Sequence, residues 1–243
     1  MAFHMPAFHV VNGEAVSEEI AGYGVYEPKL TEAFLLLVKP GDVVVDVGMH
    51  LGYYTTLFAS LAGPAGEVHA FEPTPSTREL ASGNVGRFAN VRVHPFALWS
   101  SPRQMKFHDY GLRWMAFNSF TDAKLEGGPV KTNEIEVSCT TLDEFRRGLA
   151  RPVKVMKIDA ESAELDIIQG GRDMLMGDRP VVSMEVGDTG SGTRSGAVID
   201  AMVALDYRPW EYNDGGFRPH ERRASYSYDN LIFAHKSVPA LPA

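Results

Sequence analysis

The chain has 243 residues, a formal net charge of −8, and a composition that is 44% hydrophobic and 22% charged. That is enough chain for one globular domain with an attached cap, and it excludes an intrinsically disordered polypeptide. Net acidity argues against recognition of a phosphate backbone, so no nucleic-acid partner is expected.

The first 28 residues, punctuated by Gly22, Gly24 and Pro28, predict an N-terminal cap or short helix rather than a separate domain. Residues 31–38 (TEAFLLLV) predict a short apolar helix stopped at Pro40-Gly41. Residues 42–47 (DVVVDV) form a β-branched run without alternation, the pattern of a strand buried on both faces of a parallel sheet. Helical spacing follows over 53–62, a strand over 67–71 (EVHAF), a helix over 77–88 and a third strand over 91–96 (VRVHPF). This β-α-β-α-β order implies a parallel sheet with right-handed crossovers.

The segment 103–139 is less regular. Its parts 105–120 and 134–139 read as strands or a hairpin laid over the sheet, an insertion in a single domain of residues 1–243. A helix over 141–149, with Thr140 or Thr141 as N-cap, leads to a strand over 153–158. Then come a helix over 163–176 ending near Gly177, a strand over 181–185, a Gly/Ser loop over 187–196 and a helix over 197–205. The last two strand-like runs, 208–212 and 230–235, have no helix-length apolar pattern between them and are expected to pair antiparallel. The expected class is α/β and Rossmann-like: a mostly parallel sheet closed by an antiparallel C-terminal strand, with helices on both faces.

Three motifs carry chemistry. The first, DVGMHLGYYT (46–55), sits at a strand-to-helix turn. Gly48 lets the backbone turn sharply, Gly52 permits close approach of a ligand or of the helix to the sheet, and the helix opening at Tyr53, Tyr54 and Thr55 offers free N–H groups. The spacing is not G-x-G-x-x-G, and three residues between the glycines suit a ligand without phosphates, such as S-adenosylmethionine. The second is Glu72 in AFEP, 20 residues after Gly52 at a strand end, where a carboxylate can accept both ribose hydroxyls of an adenosine. The bland reading of Glu72 is a capping or solvated side chain. The third is KIDAESAEL (157–165), with Asp159 at the carboxyl end of a strand, where open α/β sheets bind ligands. Ser162 could cap the following helix, with Glu164 and Asp166 favouring its dipole. Asp159 and Glu161 are left to bind a methionine ammonium or to orient a substrate.

These motifs together resemble the FkbM family of S-adenosylmethionine-dependent methyltransferases. The resemblance runs from about residue 25 to 186 and rests on 46–55, AFEPTP (70–75), the NV…FALWSS segment (90–101), TTLDEF (140–145), KIDAESAELDIIQGG (157–171) and PVVSMEV (180–186); NLIFAH (230–235) also fits. It implies a class I methyltransferase fold, S-adenosylmethionine as cofactor, and mostly O-methylation of a hydroxyl (or carboxylate) on a small molecule such as a sugar or secondary metabolite. Asp46, Gly48, Gly52, the Tyr53–Tyr54–Thr55 turn and the loop around His50 then serve the methionine half and Glu72 the ribose, while Pro73, Thr74, Ala97 and Leu98 border the adenine. Asp159 and Glu161 face the reacting end. His50, Asp159 and Glu161 are the catalytic candidates. The insertion, with His108, Trp114, Asn118 and Ser119, and the strand end at Glu185 are assigned to the acceptor. The chain departs from the family at Met49-His50, where Ala-Asn is usual, and at Ala160-Glu161-Ser162, where Val-Glu-Gly is usual.

His50 has two readings: a base for the acceptor proton, or a hydrogen-bonding loop residue in place of the usual Asn. His69 and His94 lie inside strand patterns and are expected to be structural. Arg218, His220, Arg222 and Arg223 make a small basic loop, read as solvated surface ahead of a site for an anionic acceptor. No metal is expected, because the single Cys139 excludes a multi-cysteine zinc site and no tight His pair is present; a hard cation on the carboxylates is the less favoured reading. No apolar run is long enough to span a membrane, no basic leader precedes Lys29, and a lone cysteine excludes an intrachain disulfide, so a reduced cytoplasmic protein is expected. A homo-oligomer is left open. The competing classes are a non-catalytic adenosyl-ligand-binding protein of the same fold and a nicotinamide-dependent oxidoreductase.

Overall fold

A computed structural model describes residues 8–120, 132–188, 195–227, 229–238 and 241–242. Residues 1–7 of the expected cap, 121–131 of the insertion and 189–194 of the Gly/Ser loop lie outside the described residues.

The central sheet has eight strands. Its parallel part is built from β1 (Val43–Val47), β2 (Glu67–Phe71), β3 (Val91–His94), β7 (Val153–Ile158) and β8 (Val181–Val186), and its far edge from β9 (Tyr207–Asn213), β10 (Gly216–Pro219) and β11 (Asp229–His235). The order is β10-β9-β11-β8-β7-β1-β2-β3, with β11 antiparallel to both β8 and β9. β1 lies at the centre and is buried along its whole length. Val43, Val45 and Val47 pack toward the helices α6 (Glu164–Gln169), α7 (Arg172–Asp178) and α8 (Ser195–Val203). Val44 packs on the other face with α1 (Ala15–Tyr23), α2 (Pro28–Leu37) and α3 (Tyr53–Ala62). The unbroken apolar run is therefore a consequence of two covered faces, each buried valine contributing about 1.5–3 kcal/mol.

Both α2 and α4 (Pro75–Val85) begin earlier than their apolar patterns, because Pro28 and Pro75 occupy the first helical turn, where the missing N–H costs nothing. The expected single helix over 163–176 is two, α6 and α7, broken at Gly170-Gly171. A Cβ on Gly170 would lie 2.2 Å from the Trp99 carbonyl oxygen, and one on Gly171 2.7 Å from Leu142 Cδ1. The first turn of α7 is capped across space by Asp143, whose carboxylate accepts from Asp173 and Met174 N–H. Ser162 does not cap α6, which has Ala163 at its N-cap and no side-chain cap. Thr141 does cap α5 (Leu142–Arg146), accepting from Glu144 N–H.

The sequence pattern missed β10. It forms a hairpin with β9 through Asp214-Gly215, both at positive φ as a two-residue type I′ turn requires. The insertion forms a second, three-stranded sheet in the order β4-β6-β5, from β4 (Ala97–Leu98), β5 (Arg103–Asp109) and β6 (Asn133–Thr140), with a 3-10 helix at Leu112–Phe117 after β5. His69 and His94 pair at 3.1 Å and stack among Phe71, Phe96 and Phe145, as structural residues do. In the basic loop, Arg222 pairs with Asp200 and Arg223 with Glu211 and Asp229. His220 is not solvated: it is buried between Glu211 and Tyr226.

Candidate active site

A cavity of about 370 Å³ opens at the carboxyl ends of β1, β2, β7 and β8. Gly48, at the end of β1, has φ +80°, and a Cβ there would fall 1.9 Å from the Asp159 carbonyl oxygen. The loops after β1 and β7 therefore touch through a residue that has to be glycine. Gly52 also has positive φ, but its close neighbour is Val85 Cγ1 of α4 at 2.6 Å. Its close approach is to helix α4. Between them His50 is left-handed (φ 52°), a conformation in which Asn and His are over-represented. The usual Asn of the family and this His meet the same backbone demand.

Glu72 lies at the carboxyl end of β2, is 7% exposed and lines the cavity. One of its oxygens accepts from Thr74 N–H at 2.9 Å and the other from His50 N–H at 3.2 Å. A carboxylate can accept about four hydrogen bonds, so each oxygen retains capacity toward the cavity. Burial raises its pKa, and the two main-chain donors oppose that shift. Further hydrogen-bond donors from a ligand would favour the anion. Ala97, Leu98, Phe71 and Ile167 supply an apolar border. A carboxylate with spare acceptor capacity beside an apolar slot fits the adenosine of S-adenosylmethionine.

The other pole is acidic. Asp159, Glu161 and Glu185 each bring one carboxylate oxygen within 4.8 Å of the others, the one grouping of that kind among the described residues. Lys157, 3% exposed, is the register partner of Asp46 and donates to Asp159 Oδ2 at 2.7 Å. Burial works against its ammonium, but Asp159, Asp46 and Glu27 hold it above its ordinary range. Burial alone would raise Asp159; the Lys157 charge keeps it below its usual value. Burial and the Asp159 charge push Glu185 up to about 10, so it is a neutral acid hydrogen-bonded to Asp159. Burial, then Asp159 and Glu164, push Glu161 up to about 8.

The structure brings Gly48, His50, Tyr53, Tyr54, Glu72, Pro73, Ala97, Leu98, Asn118, Asp159, Glu161 and Glu185 to the cavity. Others stand behind it. Asp46 accepts from Thr55 Oγ1 at 2.5 Å beneath the loop. Thr74 is fully buried and Gly52 caps α3. Trp114 lies tilted against Phe117 under Arg113, while Ser119 pairs with His108 in a short bridge. The insertion reaches the cavity instead through Phe107, Met115, Phe117 and Phe120, and the cap through Ala15, Val16, Glu19, Tyr26 and Glu27. Lys157 escaped sequence reasoning although its signal was present: a lysine inside a strand buried on both faces needs a partner.

Residues 46–209 match the methyltransferase FkbM domain. The chain belongs to this methyltransferase family. It is 30% identical over 162 residues to the 31-O-demethyl-FK506 methyltransferase FkbM of Streptomyces tacrolimicus, a match spanning 56% of this chain and 62% of that protein. Among solved structures it resembles the methyltransferase FkbM of Methylobacillus flagellatus, with a TM-score of 0.52 at 12% identity over 84% of this chain and 48% of that one. A SAM-dependent O-methyltransferase of Thermotoga maritima superposes with a TM-score of 0.50 at 17% identity, over 93% of this chain and 72% of that one. The chain thus spans less than two thirds of the first two. These structures show the class I Rossmann-like fold. Among the described residues, no helix is long and apolar enough to cross a membrane.

Proposed function

We propose that this chain methylates an oxygen, a hydroxyl or a carboxylate, of a small acceptor such as a sugar or secondary metabolite. What carries the reading is that Glu72 and the Asp159, Glu161 and Glu185 group line one cavity. The bound cofactor supplies an electrophilic sulfonium methyl. The chain's part is to bind, align, exclude water and accept a proton.

Glu72 receives the ribose hydroxyls, Ala97, Leu98 and Pro73 border the adenine, and the Gly48–His50 loop holds the methionine half. Lys157 keeps Asp159 ionised, so Asp159 can accept a hydrogen bond from the acceptor hydroxyl and orient its oxygen. Glu161 would take the hydroxyl proton as the oxygen–carbon bond forms and the methyl–sulfur bond of S-adenosylmethionine breaks, leaving S-adenosylhomocysteine. A carboxyl titrating near neutrality is matched to this task, being deprotonated often enough to accept and basic enough to hold the proton. His50 is a weaker candidate for base, because burial lowers its pKa. Phe107, Met115, Phe117 and Phe120 supply an apolar wall for the acceptor body. The names of the Streptomyces and Thermotoga relatives both specify oxygen, which favours oxygen over nitrogen.

Calorimetric titration with S-adenosylhomocysteine tests the cofactor half. Glu72→Ala should lose on the order of 2–4 kcal/mol of binding, roughly 30- to 1,000-fold. Unchanged affinity would remove the ribose assignment. For the acceptor half, turnover is measured over hydroxylated and amine-bearing small molecules with NMR of the product. A methyl found on nitrogen overturns the oxygen reading.

A further inference from the structure

Residues 8–27 cover one side of the cavity and are tied down at several points. The His9 main chain exchanges hydrogen bonds with the Asn84 side chain, whose amide also donates to Leu51 O in the loop between β1 and α3. At the far end Glu27 accepts from Tyr54 Oη at 2.8 Å and from Asn230 Nδ2 at 2.6 Å. The tie that bears on the cofactor is Glu14. It is fully buried, caps α1 by accepting from Val16 and Ser17 N–H, and lies outside the cavity lining. Its Oε1 stands 3.7 Å from His50 Nε2, a buried atom that makes no hydrogen bond.

His50 thus faces both ways. Its main-chain N–H donates to Glu72, and its ring meets the cap carboxylate. We propose that His50 is a positioning residue that couples cofactor binding at Glu72 to closure of the 8–27 cap through Glu14. The inference rests on the cofactor reading of Glu72. The ring-to-carboxylate contact is a few tenths of an ångström too long for a hydrogen bond. A ligand that draws the Glu72 carboxylate and the His50 loop inward closes that gap, and the buried Glu14 charge gains a donor that the α1 N–H groups alone do not supply. Coupling is reciprocal, so a docked cap raises cofactor affinity by the same factor by which cofactor steadies the cap.

The test uses the full chain, S-adenosylhomocysteine, and the variants Glu14→Gln, His50→Asn and the double variant. Glu14 does not line the cavity, so an effect of Glu14→Gln on affinity travels through His50 or the cap, and α1 exchange tells the two apart; Gln keeps an acceptor for α1. Each single variant should weaken S-adenosylhomocysteine by roughly fivefold to tenfold, and the double variant no more than either single one. In hydrogen–deuterium exchange the ligand should slow the α1 amides of the wild-type chain and leave them unchanged in both single variants. Wild-type affinity in Glu14→Gln, additive losses in the double variant, or equal ligand protection of α1 in all variants would overturn the coupling. Should Glu14→Gln fail to fold, the exchange experiment on His50→Asn decides alone. If the wild-type chain does not bind S-adenosylhomocysteine, the cofactor reading itself fails, and the coupling with it.

Discussion

Glu161 and Asp159 show how two carboxylates in one cavity acquire different chemistry. Asp159 has Lys157 at 2.7 Å and stays ionised, whereas burial and the Asp159 and Glu164 charges outweigh the pull of Lys157 on Glu161 and push it up to about 8. Glu161→Gln should therefore lower kcat by roughly 100-fold with S-adenosylhomocysteine affinity little changed. In the wild-type chain the rate should climb with pH toward about 8, as Glu161 loses its proton, and level off above. A flat profile and a near-normal kcat in Glu161→Gln would take the base role from it. At Gly48, by contrast, the constraint is steric. A methyl group 1.9 Å from a carbonyl oxygen, on a backbone at positive φ, cannot be absorbed by a rotamer change. Gly48→Ala should destabilise the fold by about 3 kcal/mol or more and separate the loops after β1 and β7. Denaturant unfolding checks the first effect, and loss of S-adenosylhomocysteine binding the second.

At the scale of elements, helix breaks and loop joints are set by close approach. The α6–α7 joint exists because Gly170 passes the Trp99 carbonyl at a distance that any side chain would fill. Trp99 follows directly on β4, whose Ala97 and Leu98 border the cavity, so the joint also fixes that wall. Gly170→Ala is expected to cost about 1–3 kcal/mol by overpacking and to weaken S-adenosylhomocysteine binding, while Gly177→Ala, inside α7 with open space around it, leaves binding unchanged and raises stability by up to about 1 kcal/mol. Melting curves and titration of the two variants side by side provide the check.

Across the whole molecule, the acidic pole trades stability for chemistry. The folded pKa values of Glu161, Glu164 and Glu185 (about 8, 7 and 10) lie above the ordinary carboxyl value, so the native chain holds protons that the unfolded chain has released. Stability then falls as pH rises through that interval. Between pH 7 and 9 the buried histidines, whose pKa values are lowered, are neutral in both states and do not offset the trend. The melting temperature should drop from pH 7 to pH 9, and Glu161→Gln should shallow the drop. A rise over that interval would mean the carboxylates are not protonated in the native chain. Turnover should also survive EDTA, since Lys157 and shared protons already compensate the cluster; loss with EDTA and recovery with magnesium would place a cation there.

The parallel strands, most of the helices, the first glycine turn and the placement of Glu72 and Asp159 at strand ends were legible in the sequence, because period, β-branched runs and turn residues act over a few neighbours. Strands β2 and β7 and helix α3 fall on their expected residues. Tertiary structure decided what those signals cannot carry. The sequence allows Gly52 a close approach to a ligand or to a helix, and only the fold supplies the helix contact, because its neighbour Val85 is 33 positions away. Residue type points to Trp114 and Ser119, while the strand pleat and the 3-10 turn present Phe107, Met115 and Phe117 to the cavity instead. Lys157 meets Asp46 only through sheet register, and Glu14 meets His50 only because the cap folds back across the β1–α3 loop. Local residue pattern sets the fold and the strand ends that bear the carboxylates. Which of those carboxylates is ionised, which is neutral and what closes over them depended on burial and through-space charge, which exist only once the chain has folded.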